Sequence, residues 1–148
     1  MDLKTLCKHY DLDATPAFWN ASEIHIREVY NGAGPDDFSK AIRFMLKLRY
    51  PNLSAEEAEE KLRKEITEFL SIFKPAFVIH DFDFDISDGT EKKFHEANLR
   101  MFANMKKILD MEYPFKKLWL WPIRARWWVR MNAAYNAVEK FGMSAWKD

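Results

Sequence analysis

Disulfide stapling is excluded from the outset, because 148 residues carry a single cysteine, Cys7. A lone thiol suits a reducing compartment, and Cys7 reads as a small buried residue rather than a nucleophile. Net charge is lacking as well: 23 Lys and Arg balance 23 Asp and Glu, so no global field recommends nucleic acid as a partner. Met1-Asp2-Leu3-Lys4 has neither the cationic start nor the long apolar run of a signal peptide. No uncharged run approaches the roughly eighteen residues that cross a bilayer, and the expectation is a soluble protein. Repeats, low-complexity tracts and linkers are also missing, and the length is that of one domain, 1–148, with a core of its own. Strand-type alternation is absent, so the chain is expected to be all-α.

Aromatic residues are abundant instead. Six tryptophans and twelve phenylalanines imply a bulky core, an adhesive surface, or both. A short helix is expected near residues 3–10, followed by Pro16 and an irregular stretch. A glycine turn, Tyr30-Asn31-Gly32-Ala33-Gly34-Pro35, leads into a helix with Phe38, Ile42, Met45 and Leu46 on its apolar side, ended by Pro51. Ser54 and Glu57 form a capping box for a helix whose stripe runs Ala58, Leu62, Ile66, Phe69, Phe73. Pro75 is expected to break or kink the chain, with a new apolar helix from about Ala76. After the turn at residues 85–89, Thr90 caps a helix striped with Phe94, Ala97, Met101, Met105 and Ile108. Pro114 and Pro122 bracket an aromatic connector. A last helix, about 122–141, turns Ile123, Trp127, Met131, Ala134, Val138 and Phe141 inward and stops at Gly142.

His80-Asp81 carries the chemistry. Ala76, Phe77 and Phe84 lie three and four residues from His80, so its ring faces the apolar side. Asn98 sits one turn from Phe94 and Phe102, at the edge of the next helix's buried stripe. A buried amide needs a partner, and the His80 ring nitrogen is the natural one. A histidine so placed is also an ordinary hydrogen-bonded core residue. The glycine-spaced loop can turn several carbonyls toward one point, and a His-Asp pair can supply a base and a carboxylate for a hard cation.

The order of these elements resembles the phospholipase A2 superfamily. It runs Tyr30-Asn31-Gly32-Ala33-Gly34-Pro35, then His80-Asp81, then Ala97-Asn98-Leu99-Arg100-Met101-Phe102. The closest similarity is to the disulfide-free forms of phages, other viruses and bacteria, over roughly residues 28–105. The resemblance implies a helical domain with two facing core helices and a calcium-dependent hydrolase of phospholipid esters. It implies Ca²⁺ held by the carbonyls of Tyr30, Gly32 and Gly34 and by Asp81, with His80 as the base that activates water. It also implies a location in the bacterial cytoplasm or a phage virion. Three departures set this chain apart. Asn98 replaces the family's aspartate, Phe84 replaces a tyrosine, and a charged helix near 54–73 separates loop from dyad. An amide can orient an imidazole but supplies no charge. In a serine protease the analogous change costs roughly four orders of magnitude. The alternative is therefore a catalytically degenerate phage or prophage protein, serving in the virion or in an interaction.

Other readings are weaker. Asp81, Asp83, Asp85 and Asp88 fail as an EF-hand, because Ile86 and Lys92 stand where that loop needs glycine and glutamate. Asp83 and Asp85 are expected at a solvated helix end. A phosphohydrolase site built from His25, His80, Asp81 and Asp110 would rest on scattered residues. His9, His25 and His95 share no metal-ligand spacing. The connector and helix start gather Trp119, Trp121, Trp127 and Trp128 with Lys116, Lys117, Arg124 and Arg126. That pattern is core packing with a basic edge, or a contact with a phospholipid surface or partner protein, with single-stranded nucleic acid ranked third because the net charge is zero. Arg124 and Arg126 oppose the helix dipole, which calls for an anion nearby: a lipid phosphate or a partner's carboxylate.

Overall fold

The computed structural model describes residues 1–30, 43, 46–143 and 146, and its fold is an all-α bundle of packed helices. Among the described residues three short helices come first: α1 (Leu3–His9), α2 (Pro16–Asn20) and α3 (Glu23–Val29). Three long ones follow: α4 (Ala55–Asp85), α5 (Glu91–Glu112) and α6 (Trp121–Phe141), the last entered through a 3₁₀ turn at Leu118–Leu120. Helix α5 packs between α4 and α6, while α1 and α3 lie against α4.

Local signals explain most boundaries. Ser54 Oγ accepts from Glu57 N at 3.2 Å, and Thr90 Oγ1 accepts from Lys93 N at 3.4 Å. Thr15 and Ser22 cap α2 and α3 in the same way. Those two helices occupy the stretch expected to be irregular. Thr15-Pro16 carried the start signal for the first of them. The Glu23 carboxylate also takes the amide of Leu3 at 2.5 Å, tying the start of α1 to α3. Asn104 on α5 accepts from Asp13 N at 2.9 Å and donates to Asp13 O at 2.8 Å, which pins the loop after α1.

The core holds the expected stripes. Phe94, Ala97, Met101, Met105 and Ile108 of α5 are buried, as are Leu62, Phe69 and Phe73 of α4. Pro75 does not end its helix: α4 runs unbroken from Ala55 to Asp85. An interior proline costs about 3 kcal/mol. Full burial of Phe73 and Phe77 on either side contributes about 1.5–3 kcal/mol each. The stripe 69-73-77 stays in phase only if the helix continues, so packing wins. Cys7 on α1 sits against the same turn, its Sγ 3.6 Å from Pro75 O. Burial pushes that thiol up to about 12, which leaves Cys7 inert at neutral pH.

Two further expectations are corrected. Ile123 is exposed, because the inward phase of α6 runs Arg124, Trp127, Met131, Ala134, Val138. Asp83 is buried and paired with Arg100 Nη1 at 2.8 Å, while Asp85 is exposed as expected. Phe38, Ile42 and Met45, like the side chain of Phe141, lie outside the described residues; Leu46 is buried, and residues 43 and 46–49 are helical.

Candidate active site

Late in α4 the ring of His80 turns toward α5 and meets Asn98, Nε2 to Oδ1 at 2.9 Å. Both side chains are buried, with 1% and 0% of their surfaces exposed. An amide oxygen only accepts, so Nε2 carries the proton and donates. The lone pair of the neutral ring is then on Nδ1. Among the described residues, neither His80 Nδ1 nor Asn98 Nδ2 has a hydrogen-bond partner. A buried polar atom left so costs about 1–3 kcal/mol, which marks this pair as unusual for plain core packing. Phe84 packs against the imidazole with its ring tilted by 44°, 4.5 Å between centroids, and Phe77 approaches it edge-on at 6.4 Å. Burial drives the His80 pKa down to about 4, against the opposing pull of the Asn98 hydrogen bond. At neutral pH the ring is therefore uncharged.

Asp81 projects from the adjacent position and is half-buried. Tyr30, the residue that closes α3, is its electrostatic neighbour. Burial first and the Asp81 charge second push the Tyr30 hydroxyl up to about 12. Lys74 lies over the Tyr30 ring at 5.6 Å. Lys74 and Asp81 are two turns apart on one face of α4, so Tyr30 spans that face between a cation and an anion. The structure thus pairs His80 with Asn98 and Tyr30 with Asp81. Gly32 and Gly34 lie outside the described residues.

Of the four groups expected around Ca²⁺, Tyr30 and Asp81 are among the described residues. A carboxylate with main-chain carbonyls is the oxygen set that Ca²⁺ takes. Among the described residues no three His, Cys, Asp or Glu side chains gather as a metal-holding group. The scattered phosphohydrolase set does not assemble either: His25 lies 3.7 Å from Asp85, and Asp110 is taken by Arg124.

Arg124 has its anion inside the protein. Its Nη2 donates to Asp110 Oδ1 at 2.6 Å and its Nη1 to Tyr113 O at 2.8 Å, with the Phe115 ring 3.7 Å from the guanidinium. This fork fixes the connector between α5 and α6 and leaves Arg124 unavailable to a lipid phosphate. Arg126 is exposed and lines a cavity with Arg49 and Arg130. The spacing Arg126–Val129–Arg130–Ala133 along one helix face was the sequence signal for that cavity.

No described helix is long and apolar enough to cross a membrane. Compared with known proteins, the chain matches no protein-family model, no curated protein and no solved structure.

Proposed function

We propose that the protein is a phospholipase A2-like, calcium-dependent hydrolase of phospholipid esters in which His80 is the general base. The observation that carries this reading is the His80 Nδ1 lone pair, held by a ring whose other nitrogen is tied to Asn98. His80 Nδ1 takes the proton of a water as its oxygen attacks the ester carbonyl, then returns the proton to the departing alkoxide as the C–O bond breaks. Asn98 fixes the tautomer by accepting from Nε2. Asp81 and the carbonyls of Tyr30, Gly32 and Gly34 would hold Ca²⁺, which would polarise the ester and offset charge on its oxygen.

A lipid–water surface fits the connector. Phe115, Leu118 and Trp119 are 62%, 62% and 73% exposed, with Lys116 and Lys117 exposed among them. Residues 113–138 contain no Asp or Glu. Aromatic and aliphatic side chains beside lysines are what an anionic interface attracts. The test is release of fatty acid from phospholipid vesicles, with Ca²⁺ or chelator, by wild type and His80→Gln. Hydrolysis that ignores both changes overturns the mechanism.

The second reading is a catalytically silent relative acting in a phage particle or protein complex. Its support is the near-complete burial of His80 and the neutral amide that stands in for a carboxylate. On this reading Asn98→Asp yields no activity, and a protein partner co-purifies.

A further inference from the structure

Three arginines converge on one cavity remote from His80. The cavity, about 530 Å³, lies between the middle of α4, the first half of α6 and residues 46–50. Leu46, Phe69 and Val129 supply apolar wall, and Arg49, Arg126 and Arg130 stand around it. That size falls within the roughly 300–1,000 Å³ of small-molecule sites, and the lining has their character: mostly apolar, with a few polar groups that fix orientation. Phe69 precedes His80 by eleven residues on α4, so the two sites lie about 16 Å apart along the helix.

The arginines are only partly neutralised. Arg130 Nη2 pairs with Glu65 at 3.0 Å, and the guanidinium sits 4.7 Å from the Trp127 ring. Its Nη1 is buried, 3.6 Å from the nearest Glu68 oxygen, and makes no hydrogen bond among the described residues. Arg126 and Arg49 have no ion-pair partner among the described residues. Among the described lining residues Glu65 is the one acid, and Glu68 faces Arg130 from beside them, so three arginines meet two carboxylates. The cavity therefore carries an excess of positive charge beside greasy walls, and Pro122 brings the positive end of α6 to its edge. A small inorganic anion would satisfy the guanidiniums and leave the walls wet. A neutral hydrocarbon would do the reverse.

We propose that this cavity binds a single-chain anionic amphiphile, its tail against Leu46, Phe69 and Val129 and its oxyanion head held by Arg126 and Arg49. Carboxylate and phosphate monoester share the chemistry, since a guanidinium fork grips either through paired charge-assisted hydrogen bonds. The site is independent of the reading of His80 as a base.

Calorimetric titration of the full chain tests it, with laurate, dodecyl phosphate, dodecanol and inorganic phosphate, each amphiphile below its aggregation threshold. Laurate, dodecyl phosphate or both bind at micromolar concentration, and which of them binds identifies the head group. Dodecanol binds about tenfold more weakly or worse, and inorganic phosphate gives no saturable heat. Arg49→Gln/Arg126→Gln, two changes at the cavity mouth, weakens laurate or dodecyl phosphate about tenfold or more, while Val129→Trp fills the cavity and abolishes binding. No binding by either amphiphile overturns the proposal. Dodecanol bound as tightly as the anions overturns it, and so does full affinity in the double arginine variant, which needs no folding of the Trp variant to be read. Hydrolysis is not measured, so failure here leaves the esterase reading untouched.

Discussion

Acidification probes the buried imidazole directly. His80 is neutral in the folded protein because burial holds its pKa near 4, whereas the unfolded chain presents an ordinary histidine at 6.5. Between these values the unfolded state binds a proton that the folded state refuses, so stability falls as pH drops through that window. Above about 6.5 the residue contributes no slope. The gap of some 2.5 units corresponds to roughly 3 kcal/mol once pH is below 4. A domain of this size has about 5–15 kcal/mol in total, so the loss is a large share of it. The assay is urea denaturation at closely spaced pH values from neutral to about 4, for wild type and His80→Gln. Every other group is common to both proteins, and the difference between the two curves isolates His80. The expected result is a gap that narrows or reverses by roughly 3 kcal/mol on acidification. Parallel curves would refute the buried neutral ring. So would an imidazole resonance of His80 with its midpoint near 6.5.

Asn98→Asp places a carboxylate against Nε2, which raises the His80 pKa and moves the acid limb of any hydrolysis toward neutrality with a higher rate; a pH–rate profile of both proteins reads it, and an unmoved limb contradicts the assigned contact. Calcium titration by calorimetry should give saturable binding to wild type that Asp81→Asn abolishes or weakens at least about tenfold; equal affinity would remove Asp81 from the site. Arg100→Met strands Asp83, whose surroundings already hold its carboxyl above the usual range through burial. The expected cost is about 3 kcal/mol by denaturant titration, and a loss below about 1 kcal/mol would mean the pair is dispensable. Gly142→Ala brings a methyl within 2.6 Å of Val138 O and 3.3 Å of the Phe94 ring. With φ at −80° the strain is steric rather than conformational. A drop of about 1–3 kcal/mol is expected, and an unchanged melting temperature would argue that the end of α6 shifts freely.

Features encoded within one turn of helix were legible in the sequence. Ser54 and Thr90 announced the starts of α4 and α5, and the i, i+3, i+4 spacing of Phe94, Ala97, Met101, Met105 and Ile108 fixed the buried face of α5. Helical phase also sufficed for the contact of His80 with Asn98, because each projects from the edge of a stripe and the two stripes must face each other. The continuity of α4 through Pro75 was not legible. A proline's penalty is local, whereas the burial that outweighs it depends on α1 and α5 arriving from elsewhere in the chain.

Charges show the same divide. Arg124 at the start of α6 violates the dipole preference, and that violation called for an anion, expected from a lipid phosphate or a partner's carboxylate. The anion is Asp110, on the last turns of α5 and fourteen residues earlier, which the turn through Tyr113–Leu120 carries back over the guanidinium. Asp83 likewise reads as one more acid in a polar run until Arg100 of α5 is seen opposite it at 2.8 Å. In each case the residue type signalled that a partner was needed, and only the packing of α5 against its neighbours supplied which one. Arg126 carries the same need as Arg124, and among the described residues no acid answers it. Two arginines a half-turn apart, one neutralised by the fold and one left facing a cavity, differ in nothing the local sequence records. What separates them is the α5 carboxylate that reaches the first and not the second, and that is the physical ground for assigning an external anion to the cavity rather than to the connector.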